Sequence, residues 1–170
     1  MLIQVQMVPE DHPLSISFAI PAVFLNHNLQ SAVVDMPLLF EHPIKCDVKL
    51  RKVFDDIFVQ AKITGSTCPQ CDRCLMPFDF DISQETQFTC QPIVGNHEVD
   101  EDEDLYYFQG LELDLAPILR EIVLLGLPMQ YICDQACQGL CSDCGEKLDQ
   151  VGTCGQCQKN TIFPQKTLRV

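Results

Sequence analysis

The chain has 170 residues, of which 46% are apolar and 21% are charged, and its formal net charge is −13. No apolar run approaches the roughly 20 residues that a membrane-spanning helix needs, and the first dozen residues lack the features of a signal peptide. The negative charge argues against non-specific binding along nucleic acid, because the phosphate backbone would repel such a protein. We therefore expect a cytoplasmic protein of one domain, or one domain with a small satellite, that makes no membrane contact.

Alternating apolar residues predict strands in the first half of the chain. Residues 2–20 are interpreted as two strands around a turn at Glu10, Asp11 and Pro13. The same period recurs in three later segments: 44–53, 59–63 and 78–90. Because the connections between these segments are short, they predict an antiparallel meander with one packed face and one solvent-facing side.

The solvent-facing side of this meander carries basic residues. With a turn at Asp55 and Asp56, Lys49 is expected opposite Lys62, on the same face as Arg51. Like charges opposed across a ladder reduce stability, so two interpretations stay open, a solvated face with scattered cations or a binding patch. The members of the predicted patch are Lys45, Lys49, Arg51, Lys62 and, from a nearby loop, Arg73.

Three cysteines at intervals of three interrupt the meander in the segment CPQCDRCL. Cys68, Cys71 and Cys74 can supply part of a metal site, but not all four ligands of a structural zinc. The alternative is that they are small apolar thiols near a sheet edge. Cys46 and Cys90 fall in strand phase among apolar residues, which predicts that both lie in the core.

An acidic run at 97–104, HEVDEDED, predicts an exposed loop or linker. A short strand at YYF follows, and then a helix over about 114–126 with Asp114 as its N-cap and Gly126 and Pro128 at its end. The apolar residues that recur at helical spacing are Leu115, Ile118, Leu119, Ile122 and Leu125. This stripe predicts that the helix packs against the sheet.

Six cysteines lie close together near the end of the chain, and four of them form two C-x-x-C pairs with nine residues between the pairs. A C-x-x-C turn lets two thiolates reach one ion, and a structural zinc takes four such ligands in a tetrahedron. Gly145 suits a tight knuckle just after the first pair. The sequence therefore predicts one structural zinc held by Cys141, Cys144, Cys154 and Cys157, with reduced free thiols or a redox dithiol as alternatives.

A second tetrad is a further hypothesis, in which Cys133 and Cys137 join Cys71 and Cys74. The predicted fold class is α+β, an antiparallel meander with one main helix and a small C-terminal zinc module. The predicted domains are residues 1–128, the β-rich part with its packed helix, and residues 129–170, the cysteine-rich module and tail.

Two motifs carry a resemblance to a known family: C-x-R-C-L at residues 71–75 and C-x-G-L-C-x-x-C-G at residues 137–145, with a Leu-Asp-Leu helix between them. Over roughly residues 44–157 the chain resembles the bacterial YceD-like family, the large ribosomal RNA subunit accumulation proteins, which are related to a plastid group in plants. The resemblance implies a non-enzymatic factor for the synthesis, processing or accumulation of 23S ribosomal RNA. The chain departs from the family in two ways: its last pair is C-x-x-C where members often have C-x-C, and it lacks an Asp-Pro-Arg segment.

Three classes of function remain to be compared. The leading one is a zinc-stabilised assembly factor whose partner is large-subunit rRNA or a ribosomal or assembly protein, with no small-molecule substrate. The second is an enzyme, either a dithiol oxidoreductase or a zinc-dependent hydrolase, but no pair lies in a βαβ pattern and no H-E-x-x-H motif is present. The third is a general zinc-ribbon interaction module, and its net charge of −2 between Cys141 and Cys157 favours a protein partner over RNA.

Overall fold

The computed structural model describes residues 1–27, 29, 40–93 and 105–157. Its main element is a five-stranded sheet in the order β2-β3-β4-β5-β6. The strands of this sheet are β2 (Leu14–Ile20), β3 (Ile44–Val53), β4 (Asp56–Thr67), β5 (Phe80–Pro92) and β6 (Leu105–Phe108). The neighbours from β2 to β5 pair antiparallel, whereas β6 pairs parallel with β5. The predicted meander is thus confirmed as β3, β4 and β5.

Alternation along β3 places apolar side chains on one face and polar ones on the other. Ile44, Val48 and Leu50 are buried, while Lys45 and Lys49 are exposed. Cys46 and Cys90 are fully buried among the apolar residues, as predicted. The buried face forms a hydrophobic core, and the opposite face is left to solvent.

The main helix, α2, spans Leu115–Leu125 and follows a short helix, α1, at Ala22–Leu25. Asp114 caps α2 as predicted, because its carboxylate accepts a hydrogen bond from the Ala116 backbone N–H at 3.1 Å. Leu115, Leu119 and Val123 are buried in the core of the sheet. The predicted stripe is wrong at Leu125, whose side chain is 77% exposed, because Val123 takes the inward position of the last turn.

A separate two-stranded sheet pairs β1 (Leu2–Gln4) with β7 (Glu112–Asp114). Both strands predicted within residues 2–20 exist, but they do not pair with each other. Leu2 pairs with Asp114, more than 100 residues away, while β2 pairs with β3. An ion pair of 2.7 Å between the Met1 amino group and the Asp114 carboxylate joins the ends of β1 and β7.

The β3–β4 hairpin turns one residue earlier than predicted. Its two loop residues are Phe54 and Asp55, and Val53 pairs with Asp56. Phe54 adopts a positive φ of 56°, which lets a two-residue loop follow the twist of the strands. As a result Lys62 pairs with Asp47, and the predicted opposition of Lys49 and Lys62 is wrong.

The chain divides into two compact units, and the second contains a segment that the sequence had assigned to the first domain. Among the described residues, the first unit comprises those within 1–67 and 80–127, and the second comprises those within 68–79 and 128–157. The division into domains at residues 128 and 129 stays a prediction. The predicted α+β class is confirmed, with mostly antiparallel strands and one main helix.

The acidic run at 97–104 and the last thirteen residues lie outside the described residues. Across the described ranges, no helix has both the length and the apolar character needed to cross a membrane.

Candidate metal centres

Cys71, Cys74, Cys133 and Cys137 bring four sulfur atoms together within the second unit. All four atoms lie within 4.8 Å of one another. The Sγ atoms of Cys71 and Cys137 are 4.0 Å apart, and those of Cys74 and Cys133 are 3.8 Å apart. Four thiolates at about 2.3 Å from a tetrahedral zinc would be roughly 3.8 Å apart. The spacing of this first cluster therefore fits the ion.

Cys141, Cys144, Cys154 and Cys157 form a second cluster with the same reach of 4.8 Å. The Cys141–Cys157 and Cys144–Cys154 sulfur distances are 3.5 Å and 3.3 Å. Cys141 and Cys154 are buried, Cys157 is half-buried and Cys144 is exposed. The sulfurs are somewhat closer than in the first cluster, and a small outward movement would accommodate a zinc ion.

The C-x-x-C turn of the first cluster is a tight knuckle held by backbone hydrogen bonds. The Cys71 N–H donates to the Met76 carbonyl at 2.9 Å, and the Leu75 N–H donates to the Cys71 carbonyl at 2.8 Å. A β-bridge between Gln70 and Pro77 closes the loop. The turn therefore places both sulfurs on one side of a loop whose shape is fixed by its own backbone.

The C-x-x-C turn of the second cluster repeats this arrangement at corresponding positions. The Cys141 N–H donates to the Glu146 carbonyl at 2.8 Å, and the Gly145 N–H donates to the Cys141 carbonyl at 2.9 Å. A bridge between Leu140 and Lys147 takes the place of the one between residues 70 and 77. The two knuckles are thus the same structural motif. In the sequence, the C-x-x-C spacing is the feature that indicates this repeat.

The residue after each knuckle has a left-handed backbone. Gly145 has a φ of 73°, and Leu75, its counterpart in the first knuckle, has a φ of 58°. Gly139 also has a positive φ, of 84°, and a Cβ atom there would lie 3.0 Å from the Arg73 carbonyl oxygen. Two features therefore require glycine at residue 139: its positive φ and the lack of space for a Cβ atom beside the Arg73 carbonyl.

Backbone amides favour thiolates at the start of both knuckles. Burial opposes ionisation of Cys71, but N–H groups of Cys133, Cys74 and Arg73 donate to its sulfur and the pKa falls to about 6. The N–H groups of Asp143 and Cys144 lower the pKa of Cys141 to about 6 as well. Metal ligation requires the thiolate form, so these two sulfurs are prepared for a cation.

Side chains of the first knuckle also fix the Cys133–Cys137 segment. Arg73 donates from Nη1 to the Cys137 carbonyl at 2.9 Å. The Asp72 carboxylate accepts from the Tyr131 N–H at 2.7 Å, and the Asp72 N–H donates to the Tyr131 carbonyl at 2.8 Å. No sequence pattern singled out Asp72. The Arg73 guanidinium donates to two carbonyl groups inside the second unit, and its membership of the binding patch stays a prediction.

The strand-borne members of the predicted patch lie together on the exposed face of the five-stranded sheet. Lys45 is paired with Asp47 at 2.9 Å, and Lys62 with Glu85 at 3.1 Å. Within the described part of the chain, the side chains of Lys49 and Arg51 have no hydrogen bond or ion pair. The four cations therefore divide into two that are paired with carboxylates and two that are available to a partner.

The donor set of each cluster suits a structural ion. Both clusters contain four cysteine sulfurs, the number that fills a tetrahedral zinc. A catalytic zinc would instead keep one position for water or substrate. The chemistry that follows is the linking of chain segments through a metal.

Comparison with known proteins identifies a family and several relatives. A family profile described as "Large ribosomal RNA subunit accumulation protein YceD" matches residues 59–168. An uncharacterized protein of Mycobacterium leprae is 26% identical over 107 residues, which cover 62% of this chain and 49% of that protein. The uncharacterized protein YlbN of Bacillus subtilis is 31% identical over 93 residues, which cover 53% of this chain and 49% of that protein.

A plant protein is also similar. The chloroplastic large ribosomal RNA subunit accumulation protein YCED homolog 1 of Zea mays is 28% identical over 61 residues, which cover 35% of this chain and 21% of that protein. The chain spans about half the length of the bacterial relatives it matches. No solved structure matches it.

Proposed function

The chain belongs to the family of the large ribosomal RNA subunit accumulation protein YceD, and we propose that it is a non-enzymatic factor for the synthesis, processing or accumulation of 23S ribosomal RNA. The observation that carries this proposal is the family match, which extends over more than half of the chain. The proposed partner is large-subunit rRNA or a ribosomal or assembly protein, and the proposed location is the cytoplasm.

Zinc is proposed as a structural cofactor in both cysteine clusters. Its proposed ligands are Cys141, Cys144, Cys154 and Cys157 in the second cluster. The first cluster would use Cys71, Cys74, Cys133 and Cys137. Support comes from the sulfur–sulfur distances, which fit or nearly fit a tetrahedral ion. In this proposal the metal fixes the shape of the second unit and takes no part in chemistry.

A redox or hydrolytic enzyme is the competing proposal. The lowered pKa values of Cys71 and Cys141 favour it, because low-pKa thiols are reactive. Convergence of four sulfurs at each site favours the structural role, since ligation consumes the reactive thiolates. Zinc-loaded protein should therefore catalyse no thiol–disulfide exchange, and turnover with a model disulfide would support the enzyme instead.

Contact with the partner is proposed through the exposed sheet face that carries Lys45, Lys49, Arg51 and Lys62. Lys49 and Arg51 are its main cations, since the other two are already paired. Arg73 was predicted as a fifth member, but its hydrogen bond to Cys137 supports a structural role. The protein's net charge of −13 makes a limited surface necessary for any anionic partner.

The proposal is tested in cells that lack the protein. Loss should lower mature large-subunit rRNA relative to small-subunit rRNA, measured by quantifying both species from total RNA. The double variant Lys49→Glu/Arg51→Glu should fold normally yet fail to restore the ratio, whereas Lys45→Gln should restore it. An unchanged ratio in the cells without the protein would contradict the proposed function.

A further inference from the structure

The exposed face of the five-stranded sheet contains two adjoining depressions. Their volumes are about 540 Å³ and about 510 Å³, and both are lined by Lys49, Gln60 and Gln87. The first extends toward Ser17 on β2, and the second toward Phe58 on β4. Together they form one shallow surface that crosses β2 to β5.

Two neighbouring cross-strand rows make up the centre of this surface. In one row Ser15, Lys49, Gln60 and Gln87 lie side by side on β2 to β5. In the next, Arg51, Phe58 and Thr89 lie side by side on β3 to β5. We call these two rows the platform. It carries two cations and two amide side chains, and none of its members is a carboxylate.

The acidic residues that border the platform already have partners. Asp47 accepts a hydrogen bond from Ser17 and pairs with Lys45. Glu85 pairs with Lys62 at 3.1 Å. On the opposite border, Asp56 accepts from the Gln91 amide at 3.0 Å. The platform is therefore the part of this face where positive charge is least compensated, in a protein that is strongly acidic overall.

Phe58 is the aromatic member of the platform. Its side chain points to the exposed face of β4 and is 42% exposed, whereas its neighbours Ile57 and Val59 are buried. It lies directly opposite Arg51 in the register of β3 and β4. An exposed ring beside a guanidinium on a sheet surface offers a stacking position with a phosphate contact at its edge.

The combination of side chains fits one class of partner best. A protein interface needs an apolar centre, but the platform offers only one apolar side chain among cations and amides. Duplex RNA is recognised through its minor groove and backbone shape, which a single stacking ring does not exploit. Unpaired bases stack on aromatic rings and present their edges to side-chain amides, while cations contact the phosphates.

We propose that the platform binds a short single-stranded segment of RNA through Lys49, Arg51, Phe58, Gln60 and Gln87. A base stacks on Phe58, the two amides read base edges, and Lys49 and Arg51 neutralise the adjacent phosphates. The inference rests on the proposed function, since it names the chemical class that the sheet face would contact during accumulation of large-subunit rRNA.

Binding is measured by fluorescence anisotropy with the zinc-loaded 170-residue chain. The probes are fluorescein-labelled oligouridylate and oligoadenylate of about 12 nucleotides, a length within the usual site size of single-strand binders. A blunt-ended RNA duplex of similar length is the comparison. The wild-type protein should bind at least one single strand at low salt, and more tightly than the duplex.

Variants of Phe58 isolate the stacking contact. Phe58→Leu should weaken binding about tenfold or more, because stacking of one base on an aromatic ring contributes on that scale. Phe58→Tyr keeps the ring and should stay within about twofold of the wild type. Phe54→Leu is the matched control, because Phe54 is 88% exposed but lies in the hairpin turn outside the platform. Equal binding by the Leu and Tyr variants at residue 58 would overturn the proposal.

Variants of the cations isolate the phosphate contacts. Replacing Lys49 and Arg51 with Gln should flatten the dependence of log K on log salt by about 1.4, since each neutralised phosphate of a single strand contributes about 0.7. Lys45→Gln should leave the slope unchanged, because Lys45 already pairs with Asp47. An unchanged slope in the double variant would overturn the proposal that Lys49 and Arg51 contact the RNA phosphates.

The proposed function and the platform can fail separately. If loss of the protein lowers large-subunit rRNA in cells but the purified protein binds no single-stranded probe, the platform proposal is overturned and a protein partner takes its place. If the rRNA ratio does not change, the proposed function fails whatever the binding assay gives.

Discussion

In the first unit the buried side chains are mainly aliphatic and come from a sheet and a helix, whereas in the second unit they are mainly cysteines. The core of the first unit includes Ile44, Leu50, Ile63 and Leu119. The buried clusters of the second unit are Cys71, Cys74 and Cys137 at one site and Cys141, Cys154 and Leu148 at the other. A unit with so few apolar side chains needs another source of stability, and metal ligation supplies it in small domains.

The pKa values of the cysteine thiols also differ between the two units. Burial raises the pKa of Cys46 to about 11, with a contribution from the Asp47 charge, and raises that of Cys90 to about 12. Backbone amides lower the pKa of Cys71 and Cys141 to about 6. The first two thiols therefore act as small apolar groups, while the second two are prepared to be thiolate ligands.

Removal of metal should give the largest difference in stability between the two units. Structural zinc contributes roughly 10–16 kcal/mol of apparent binding free energy in small zinc domains. A strong chelator under reducing conditions should therefore unfold the second unit and leave the sheet of the first intact. Elemental analysis should first give two zinc ions per chain, and limited proteolysis should then produce new cuts in 68–79 and 128–157 only. Metal-free protein from a reducing, chelator-free purification would contradict this.

Single ligand substitutions should each remove one ion. We expect Cys144→Ser to empty the second cluster and expose residues 139–157 to protease, and Cys74→Ser to empty the first. Cys68→Ser is the control, because Cys68 is exposed and belongs to neither four-sulfur cluster. Zinc content per chain is the measurement. A loss of zinc in the Cys68 variant would show that the ligand sets are assigned incorrectly.

Substitution in the apolar core should affect the first unit alone. Leu119→Ala should lower the free energy of unfolding by about 2–5 kcal/mol, because Leu119 is fully buried and the change leaves a cavity. Its zinc content should stay unchanged. On the same helix, Leu125→Ala should change stability by less than about 0.5 kcal/mol, since that side chain is 77% exposed. Denaturant unfolding followed by far-UV circular dichroism measures both, and equal effects would contradict the burial pattern.

Backbone strain at the knuckles should have a smaller effect than the loss of a metal ligand or of a buried core side chain. Gly145→Ala introduces a side chain at a positive φ and should cost about 1 kcal/mol. Gly139→Ala should cost more, because its Cβ would also press on the Arg73 carbonyl oxygen. Leu75→Gly should be neutral or slightly favourable, as it relieves a left-handed leucine. Competition with a chromogenic zinc chelator ranks the three, and an order in which residue 145 is the more sensitive glycine would contradict this account.

Local patterns were enough for several features of the fold. Strand period placed Cys46 and Cys90 in the core, and Asp114 marked the start of the main helix. Two C-x-x-C pairs nine residues apart were enough to predict that Cys141 and Cys154 lie in one cluster. Each of these depends on neighbours within about a dozen residues, so the information is present in a short window of sequence.

Contacts between distant residues were decided by the tertiary structure. The strand at Leu2 pairs with Asp114 and not with the strand that follows it, because cross-strand partners carry no signal in either segment alone. The β3–β4 register depends on a one-residue shift of the turn to Phe54, which moved Lys62 from Lys49 to Asp47. That shift changed a predicted repulsion of like charges into a face with paired carboxylates.

The two cysteine clusters illustrate the difference between what the sequence predicts and what depends on the tertiary structure. Their spacing alone grouped residues 141 to 157, since a short hairpin brings both pairs to one point. The first cluster joins Cys71 to Cys137 across 66 residues, so spacing could only suggest it. Arg73 donates to the carbonyl of Cys137, 64 residues away, a contact that depends on the fold around it. Contacts between residues near each other in sequence can be predicted from the order of the residues. Contacts between residues separated by a whole domain depend on how that domain folds.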